Sequence, residues 1–357
     1  MDAQQWRTGL LGLDRHGEIL ISALENKERF DVIAVADFDT NRLTTMSQRI
    51  GAQAYDDYRQ MILQNDLDCL IVLSPLHACL DHVRLAIKRG MAILKLAPMA
   101  RTFEEAKTLS ELAQSCNTRF DVAGPGRFSL GFGMWREAID PQAIGKRFMI
   151  RMTCEFGVLA GVDLAQYQRQ PDRHMAWITD QSLSGGGVLL YHAFDLVDQL
   201  ILNFGLPEQV YAICHSHASD KQRLHHLSED VALMTFRLAG GGMAELTAYR
   251  YWDDRETTYC LEARSAQRNI ILEPKRLRFC DSRGQRIRYK KVSDDTLMQI
   301  ESMLEAYSQS LEDPQEHPFA GQGQSYLDVM AVLEAAYLSN RTGSPEEPGR
   351  IVQMGLH

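Results

Sequence analysis

The chain has 357 residues, of which 45% are apolar and 24% are charged, and its formal net charge is −9 at pH 7. This composition is that of a globular protein, and the length suits two domains that each bury a core. The excess of acidic residues argues against a nucleic-acid partner, because nucleic-acid phosphates are bound by Lys and Arg. The N-terminus lacks a signal-peptide pattern and no segment has the ~18 apolar residues of a membrane span, so we predict a cytoplasmic protein without a membrane partner.

The first 125 residues alternate short apolar segments with longer helical patterns. This alternation predicts β-α-β units and a parallel sheet. The predicted strands are Thr8–Leu11, Asp31–Ala36, Asp68–Leu73, Met91–Lys95 and Arg119–Ala123. Asp39 and Thr40 predict the start of one helix, and Leu76 predicts the start of another that ends before Gly90.

Gly124-Pro125-Gly126 interrupts this pattern, and we place a domain boundary there, between an α/β domain at 1–125 and an α+β domain at 126–357. In the second domain, short turns join the predicted strands 147–156, 209–217, 230–238, 242–250, 257–263, 269–272 and 276–280. Such connections favour a large, mostly antiparallel open sheet. Helices are predicted at 188–202 and at 324–339, the second a candidate to pack back toward the first domain.

The seven cysteines and the histidines do not indicate a metal site. No two cysteines have a Cys-x-x-Cys spacing, and an odd number of scattered thiols argues against both a disulfide framework and a zinc site. The residues His215, His217, His225 and His226 form the one histidine cluster of the sequence. No second group of ligands accompanies them at a suitable spacing, so we predict no metal.

The segment between the first strand and the first helix, Gly12-Leu13-Asp14-Arg15-His16-Gly17, has the outline of the dinucleotide fingerprint Gly-x-Gly-x-x-Gly. Asp37 follows the second strand, 20 residues after Gly17, where a carboxylate can accept hydrogen bonds from the ribose hydroxyls of an adenosine. Because Phe38 rather than an arginine comes next, NAD is the predicted cofactor and NADP is disfavoured.

Asp14 stands at the middle glycine of the fingerprint, where the backbone approaches the pyrophosphate. Two unit charges about 5 Å apart repel by about 3 kcal/mol at an effective dielectric of about 20, and by less than about 1 kcal/mol where water intervenes. The repulsion abolishes dinucleotide binding or only weakens it, depending on where the carboxylate points. Binding of the cofactor is therefore open at this point.

Further motifs follow along the chain: Ser74-Pro75-Leu76-His77, Leu96-Ala97-Pro98, Trp177 and the segment Ser184-Gly-Gly-Gly-Val-Leu-Leu-Tyr-His-Ala-Phe-Asp-Leu-Val-Asp198. With the Gly12–Gly17 turn, they make the chain resemble the family of glucose-fructose oxidoreductase, inositol dehydrogenase and MocA over nearly its whole length. The resemblance implies a Rossmann domain at 1–125 that binds NAD through the Gly12–Gly17 turn, Asp37, Ser74, Pro75 and His77. It also implies oxidation or reduction of a sugar-like or polyol substrate, and a homodimer or homotetramer joined through the sheet of the second domain.

The chain departs from the family pattern at its catalytic positions. The family's Glu-Lys-Pro is here Leu96-Ala97-Pro98, so the lysine that projects toward the substrate is replaced by a methyl group. A methyl group cannot transfer a proton, and general acid-base catalysis usually contributes about 100-fold to 10,000-fold. The family's Asp-x-x-x-His corresponds here to Tyr191 and Asp195.

Four residues are candidates to replace the missing groups. Lys95 precedes Ala97 by two positions on one predicted strand and is either a relocated catalytic lysine or a structural one. Tyr191 is either the proton donor, with its pKa lowered by a nearby ammonium, or a packing residue whose hydroxyl binds a backbone carbonyl. His192 and Asp195 either form an acid-base pair or serve structure and substrate binding.

Two functions are consistent with these residues. The first is an NAD-dependent oxidoreductase in which Tyr191, Lys95 and His192 share proton transfer. The second is a catalytically inactive relative that binds or regulates through the same fold. We favour the oxidoreductase, because the replaced positions Tyr191 and Asp195 remain polar.

Overall fold

A computed structural model provides the structure of the protein, and it describes residues 5–13, 15–25, 29–74, 76–139, 148–157, 177–216, 227–293 and 295–354. The chain forms two compact units. The first unit consists of Met1–Ala100, Glu104–Phe128 and Asp295–Tyr326. The second consists of Arg101–Phe103, Ser129–Asp294 and Leu327–His357. Each unit is therefore assembled from segments that lie far apart in the sequence.

The first unit is built on a parallel sheet of six strands. In chain order they are β1 (Trp6–Leu11), β2 (Phe30–Ala36), β3 (Gln53–Tyr55), β4 (Cys69–Val72), β5 (Ala92–Leu96) and β6 (Phe120–Ala123). Their order in the sheet is β3-β2-β1-β4-β5-β6, which is the doubly wound Rossmann order with its switch point between β1 and β4. All five predicted strands are confirmed. The sequence pattern misses β3, because this strand has only three residues and two of them are exposed.

Five helices connect these strands: α1 (Arg15–Glu25), α2 (Thr40–Ile50), α3 (Tyr58–Gln64), α4 (Leu76–Lys88) and α5 (Phe103–Ser115). The predicted start of α2 is confirmed, since the Asp39 carboxylate accepts the N–H groups of Asn41 and Arg42 as an N-cap. The end of α4 is confirmed as well. Gly90 follows this helix with φ of +81°, a left-handed conformation that glycine adopts without strain.

A helix from late in the chain, α10 (Thr296–Glu312), completes the core of the first unit. It packs on α1, and Ile300, Leu304 and Tyr307 join an apolar cluster that also contains Leu10 and Ile21. The segment after α10 then lies along β6, where the Val122 N–H donates to the carbonyl of Gly321 at 2.7 Å. We predicted these residues within the second domain, and the sequence pattern does not predict α10.

Arg127 fixes the end of this segment. Its guanidinium lies over the ring of Tyr326, 3.7 Å from the ring centroid, and it donates to Ser325 Oγ at 2.7 Å and to the carbonyl of Ala320. A planar cation stacked on an aromatic ring and bonded to the main chain is a structural element. Arg127 therefore ties residues 320–326 to the end of β6.

The second unit holds a sheet of eight strands. In chain order they are β7 (Phe148–Gly157), β8 (Gln209–His215), β9 (Val231–Arg237), β10 (Met243–Tyr251), β11 (Thr258–Ser265), β12 (Arg268–Glu273), β13 (Arg276–Asp281) and β14 (Arg286–Lys291). Their order is β14-β13-β12-β11-β7-β10-β9-β8, and every pair is antiparallel except β7 with β10. The predicted mostly antiparallel sheet is confirmed.

Helices cover one face of this sheet. The helices of the second unit are α6 (Leu130–Ala138), α7 (Gln181–Ser184), α8 (Val188–Tyr191), α9 (Phe194–Phe204), α11 (Leu327–Thr342) and α12 (Pro348–Met354). The single helix predicted at 188–202 is in fact α8 and α9, separated at His192 and Ala193. Helix α11 packs on β8 and α9.

Within the described ranges, no helix is both long enough and apolar enough to cross a bilayer. The cytoplasmic location stays a prediction from the sequence.

Candidate active site

The turn after β1 lies directly against the segment after β4. Gly12 has φ of +86°, and a Cβ atom there would lie 2.7 Å from the backbone nitrogen of Ser74 and in collision with Ser74 Oγ. The N–H groups of Leu73 and Ser74 also donate to the carbonyl of Leu11, at 2.9 and 3.1 Å. Only glycine fits this position, and the contact brings two predicted cofactor-binding residues together.

Asp37 at the end of β2 joins the same corner. Its Oδ2 accepts the N–H of Leu13 at 2.6 Å, and its Oδ1 accepts the N–H of Asp39 at 2.7 Å. The Arg42 guanidinium, on the first turn of α2, lies 3.9 Å from Asp37 Oδ2 and 3.9 Å from Asp39 Oδ2. No sequence motif indicates this cation, because Arg42 is five residues from Asp37 and comes close to it only when α2 forms.

Ser74 and His77 lie at the start of α4, next to a group of aromatic rings. Ser74 Oγ and the Tyr58 hydroxyl are hydrogen-bonded at 2.8 Å, and the Tyr58 ring packs against Phe38 with centroids 4.3 Å apart. Tyr58 was not predicted, since nothing in its local sequence marks it. Asp14 and Pro75 lie outside the described residues, as do the side chains of residues 15–17.

These residues fit a dinucleotide. A glycine turn without room for a side chain precedes the N-terminus of α1, where backbone N–H groups favour a pyrophosphate. Asp37 stands where a carboxylate accepts ribose hydroxyls, and the strand order places both beside the switch point. The described residues that carry this fit are Gly12, Leu13, Asp37 and Ser74.

Lys95 lies on β5 and is only 3% exposed. Its Nζ donates to the carbonyl of Leu96 at 2.5 Å. It also lies near Cys79 of α4: burial raises the pKa of the Cys79 thiol to about 12, and the Lys95 charge opposes this rise. An ammonium that is buried and bonded to the main chain matches the structural interpretation of this lysine more than the catalytic one.

Tyr191 and His192 lie at the end of α8 and Asp195 lies at the start of α9, all in the second unit. The Tyr191 hydroxyl donates to the carbonyl of Ser184 at 2.8 Å, as the packing interpretation anticipated. The His192 ring stacks on Phe156 at 3.5 Å. Asp195 lies in the first turn of α9 close to Cys154, where burial raises the pKa of the thiol to about 12 and the Asp195 charge adds to the rise.

No described residues form a group of three or more His, Cys, Asp or Glu side chains suited to a metal ion. Of the histidine cluster, His215 is exposed on β8, and residues 217, 225 and 226 lie outside the described residues. All seven cysteines carry free thiols. A cavity of about 400 Å³ on α3 and α4 is lined by Arg59, Asp81, His82, Arg84, Leu85 and Lys88, none of which was predicted as a site residue.

Two sequence models of one family match the chain. The model described as an oxidoreductase family with an NAD-binding Rossmann fold matches residues 6–123, and the model of the GFO/IDH/MocA C-terminal domain matches residues 132–265. The chain belongs to the Gfo/Idh/MocA oxidoreductase family. The resemblance that its motifs indicated is thus confirmed.

A relative within the family is inositol 2-dehydrogenase 3 of Saccharopolyspora erythraea, which is 28% identical over 145 residues, covering 40% of this chain and 41% of that protein. Another is the myo-inositol 2-dehydrogenase of Thermotoga maritima, 24% identical over 148 residues, covering 41% of this chain and 44% of that protein. The matched segments thus span less than half the length of these curated relatives.

Among solved structures, levoglucosan dehydrogenase in complex with NADH and levoglucosan superposes with a TM-score of 0.81 at 17% identity, covering 96% of this chain and 99% of that one. At such identity the likeness shows the fold alone. It confirms a Rossmann domain followed by a domain with a mostly antiparallel sheet.

Proposed function

We propose that the protein is an NAD-dependent oxidoreductase that acts on a hydroxyl or carbonyl group of a sugar or polyol. The observation that carries this proposal is the corner formed by Gly12, Leu13 and Asp37, in which the carboxylate is held by two backbone N–H groups. Inositol and levoglucosan, named in the relatives, suggest the substrate class. The comparisons lend no support to the catalytically inactive alternative.

The same corner favours NAD over NADP. Both oxygens of the Asp37 carboxylate accept backbone N–H groups, and these bonds fix the carboxylate at the end of β2. A 2′-phosphate would meet this charge, and Arg42 offsets it only in part because its guanidinium is shared between Asp37 and Asp39. We therefore expect weaker binding of NADPH than of NADH.

When bound, NAD supplies the hydride acceptor for oxidation of the substrate carbon, and NADH supplies the hydride in the reverse direction. We propose that Tyr191 transfers the accompanying proton. In reduction, rotation about the Cζ–Oη bond turns the hydroxyl proton from the Ser184 carbonyl to the substrate oxygen, and a phenolate is left. In oxidation, the phenolate accepts the proton of the substrate hydroxyl. His192 and Asp195 are proposed to bind substrate hydroxyls. Lys95 stays a predicted member of the site, although its burial and its bond to Leu96 favour a structural role.

Calorimetric titration of the native chain with NADH and NADPH tests the cofactor, with Asp14→Gly and Asp37→Ala measured in parallel. We expect micromolar NADH binding that is tighter than NADPH binding, and loss of binding in Asp37→Ala. Asp14→Gly should bind NADH up to about a hundredfold more tightly, because it removes a repulsion of at most about 3 kcal/mol. Absence of NADH binding in both the native chain and Asp14→Gly would overturn the proposal.

A screen of sugars and polyols, in which NADH formation is followed by absorbance, then tests the reaction. Turnover of a cyclic polyol or anhydrosugar is the expected result. Binding of NADH without turnover of any compound in the panel would count against the oxidoreductase and favour the inactive alternative.

We further propose that the open face of the second sheet joins subunits into a homodimer or homotetramer. Ile213 of β8 and Leu233 of β9 are register partners on this face and are 52% and 42% exposed. Exposed apolar side chains that lie side by side on a sheet are typical of an interface. Light scattering should give a dimer or tetramer for the native chain and a monomer for Leu233→Asp, and a native monomer would contradict the proposal.

A further inference from the structure

The three glycines before α8 each lie against a different group of the second unit. A Cβ atom on Gly185 would lie 2.6 Å from Arg101 Cβ, and one on Gly186 would lie 2.7 Å from Tyr337 Cζ. A Cβ atom on Gly187 would lie 2.7 Å from the backbone nitrogen of Glu229. Because all three distances are shorter than van der Waals contact, the Gly-Gly-Gly motif here permits close packing around the start of α8.

Glu229 accepts three consecutive N–H groups at the start of α8. The Gly187 N–H donates to Oε2 at 2.8 Å, and the Leu189 N–H donates to Oε1 at 3.0 Å. Between them, the Val188 N–H donates to the backbone carbonyl of Glu229 at 3.0 Å. The N-cap position, Gly187, has no side chain to accept these groups. Glu229, from the segment before β9, therefore caps this helix from outside it.

Tyr337 holds the Glu229 carboxylate from the other side. Its hydroxyl, on α11, donates to Glu229 Oε1 at 2.9 Å, and the two residues are 9% and 5% exposed. The carboxylate thus receives donors from two backbone N–H groups and one phenol in a place that water hardly reaches. Its orientation is defined by these three bonds.

This cluster determines where Tyr191 lies. Helix α8 contains only Val188–Tyr191, so a change at its first N–H groups moves its last residue. The Tyr191 hydroxyl returns to the Ser184 carbonyl, immediately before the glycines, and its ring packs edge-on against Trp177 at 5.3 Å. The hydrogen bond from Tyr191 to Ser184 therefore joins the two ends of residues 184–191, and Glu229 holds the middle of this segment.

We propose that Glu229 and Tyr337 are positioning residues, which orient Tyr191 for proton transfer by fixing the start of α8. The role of Tyr191 rests on the function proposed above. The anchoring of α8 by Glu229 and Tyr337 stands on the geometry alone, so the two can be tested separately.

Tyr337→Phe and Glu229→Gln test the positioning role, with Tyr307→Phe as the matched control. Tyr307 is a buried tyrosine of the first unit whose hydroxyl has no hydrogen-bond partner among the described residues, so its removal deletes no such bond. We expect kcat to fall at least tenfold in Tyr337→Phe and Glu229→Gln while the Kd for NADH changes less than twofold. Tyr307→Phe should retain the native kcat.

A double-mutant cycle separates positioning from a general loss of structure. If Tyr337 acts through Tyr191, the double variant Tyr191→Phe, Tyr337→Phe should have a kcat within twofold of that of Tyr191→Phe alone. An equal loss of kcat in both backgrounds would overturn the positioning role.

Hydrogen exchange measured by mass spectrometry on peptides covering residues 185–191 tests the anchoring without reference to activity. Exchange should be faster in Tyr337→Phe and Glu229→Gln than in the native chain, and unchanged in Tyr307→Phe. Unchanged exchange in the first two variants would overturn the anchoring. A native chain without any turnover would instead overturn the proposed function, and with it the link to Tyr191, while the exchange result would still decide the anchoring.

Discussion

The turn at Gly12 leaves no room for a side chain, and this gives a test at the level of one residue. Gly12→Ala would force a left-handed conformation on alanine and drive its Cβ into Ser74, so we expect a loss of at least about 2 kcal/mol in the free energy of unfolding. The matched control is Gly133→Ala in α6, where nothing lies within 4 Å of the added Cβ. The control should gain roughly 0.5–1 kcal/mol, because alanine favours the helix. Urea denaturation measures both, and equal effects would contradict the close contact with Ser74.

Tyr191 and Lys95 can be separated by their effects on rate and on stability. Tyr191→Phe keeps the ring packed on Trp177 but removes the proton, so kcat should fall by about 100-fold to 10,000-fold with NADH affinity retained. Lys95→Met keeps the length of a buried side chain without its charge. If Lys95 is structural, its variant changes the free energy of unfolding while kcat stays within a few fold of native. A large loss of kcat in Lys95→Met without a change in stability would restore its catalytic interpretation.

The residues of the nucleotide corner differ in how far the sequence predicts them. Gly12 and Asp37 follow the ends of two strands at the spacing of the dinucleotide fingerprint and its ribose-binding carboxylate. The structure brings them together at one corner. Arg42 and Tyr58 reach the corner from α2 and α3. Their approach depends on how two helices pack and on which way long side chains turn, and no local pattern in the sequence records either.

At the scale of elements, Asp121 and Arg119 link β6 to α10 and give a pH-dependent prediction. Burial raises the pKa of the Asp121 carboxyl to about 6 from 3.8, against the opposing effect of Arg119, which in turn donates to the Ser310 carbonyl of α10 at 2.6 Å. Between about pH 4 and pH 6 the native state therefore holds a proton that the unfolded state releases. This contribution to stability is complete below about pH 4 and is lost as the pH rises through 6.

Asp121→Asn removes that titration. Between pH 4.5 and pH 7.5 the free energy of unfolding of the native chain should fall relative to that of Asp121→Asn, by about 2 kcal/mol for a pKa rise of this size. Urea denaturation at the two pH values measures the difference, with the exposed Asp254→Asn as the control. Parallel pH dependences in the native chain and in Asp121→Asn would show that the carboxyl is not perturbed.

The elements that the sequence predicts are those with a strong apolar pattern. The strands β1, β2, β4, β5 and β6 are short, mostly apolar segments between turns. The sequence does not predict β14, because all six of its residues are exposed and four of them are basic. The break between α8 and α9 is also missed, since Val188–Leu202 contains no glycine or proline that would mark an interruption of the helix.

At the scale of the whole molecule, the last segment of the first unit follows most of the second unit in the sequence. The two family models match residues 6–123 and 132–265, and neither includes Asp295–Tyr326, which belongs to the first unit. The boundary predicted at Gly124 follows from the local break in the alternation of strands and helices. It cannot reveal a later return of the chain, because only the packing of α10 on α1 shows where that helix belongs.

This return predicts how fragments of the protein behave. Residues 1–128 alone would expose the apolar side chains that Ile300, Leu304 and Tyr307 cover, so we expect no cooperative thermal transition from this fragment. Joining 295–326 to residue 128 through a flexible linker of about ten residues, which spans roughly 17 Å, should restore a cooperative transition in circular dichroism. Leu304→Asp in the same fusion places a charge at a fully buried position and should abolish the transition again. If residues 1–128 unfold as cooperatively as the fusion, then α10 is not needed for the core of the first unit.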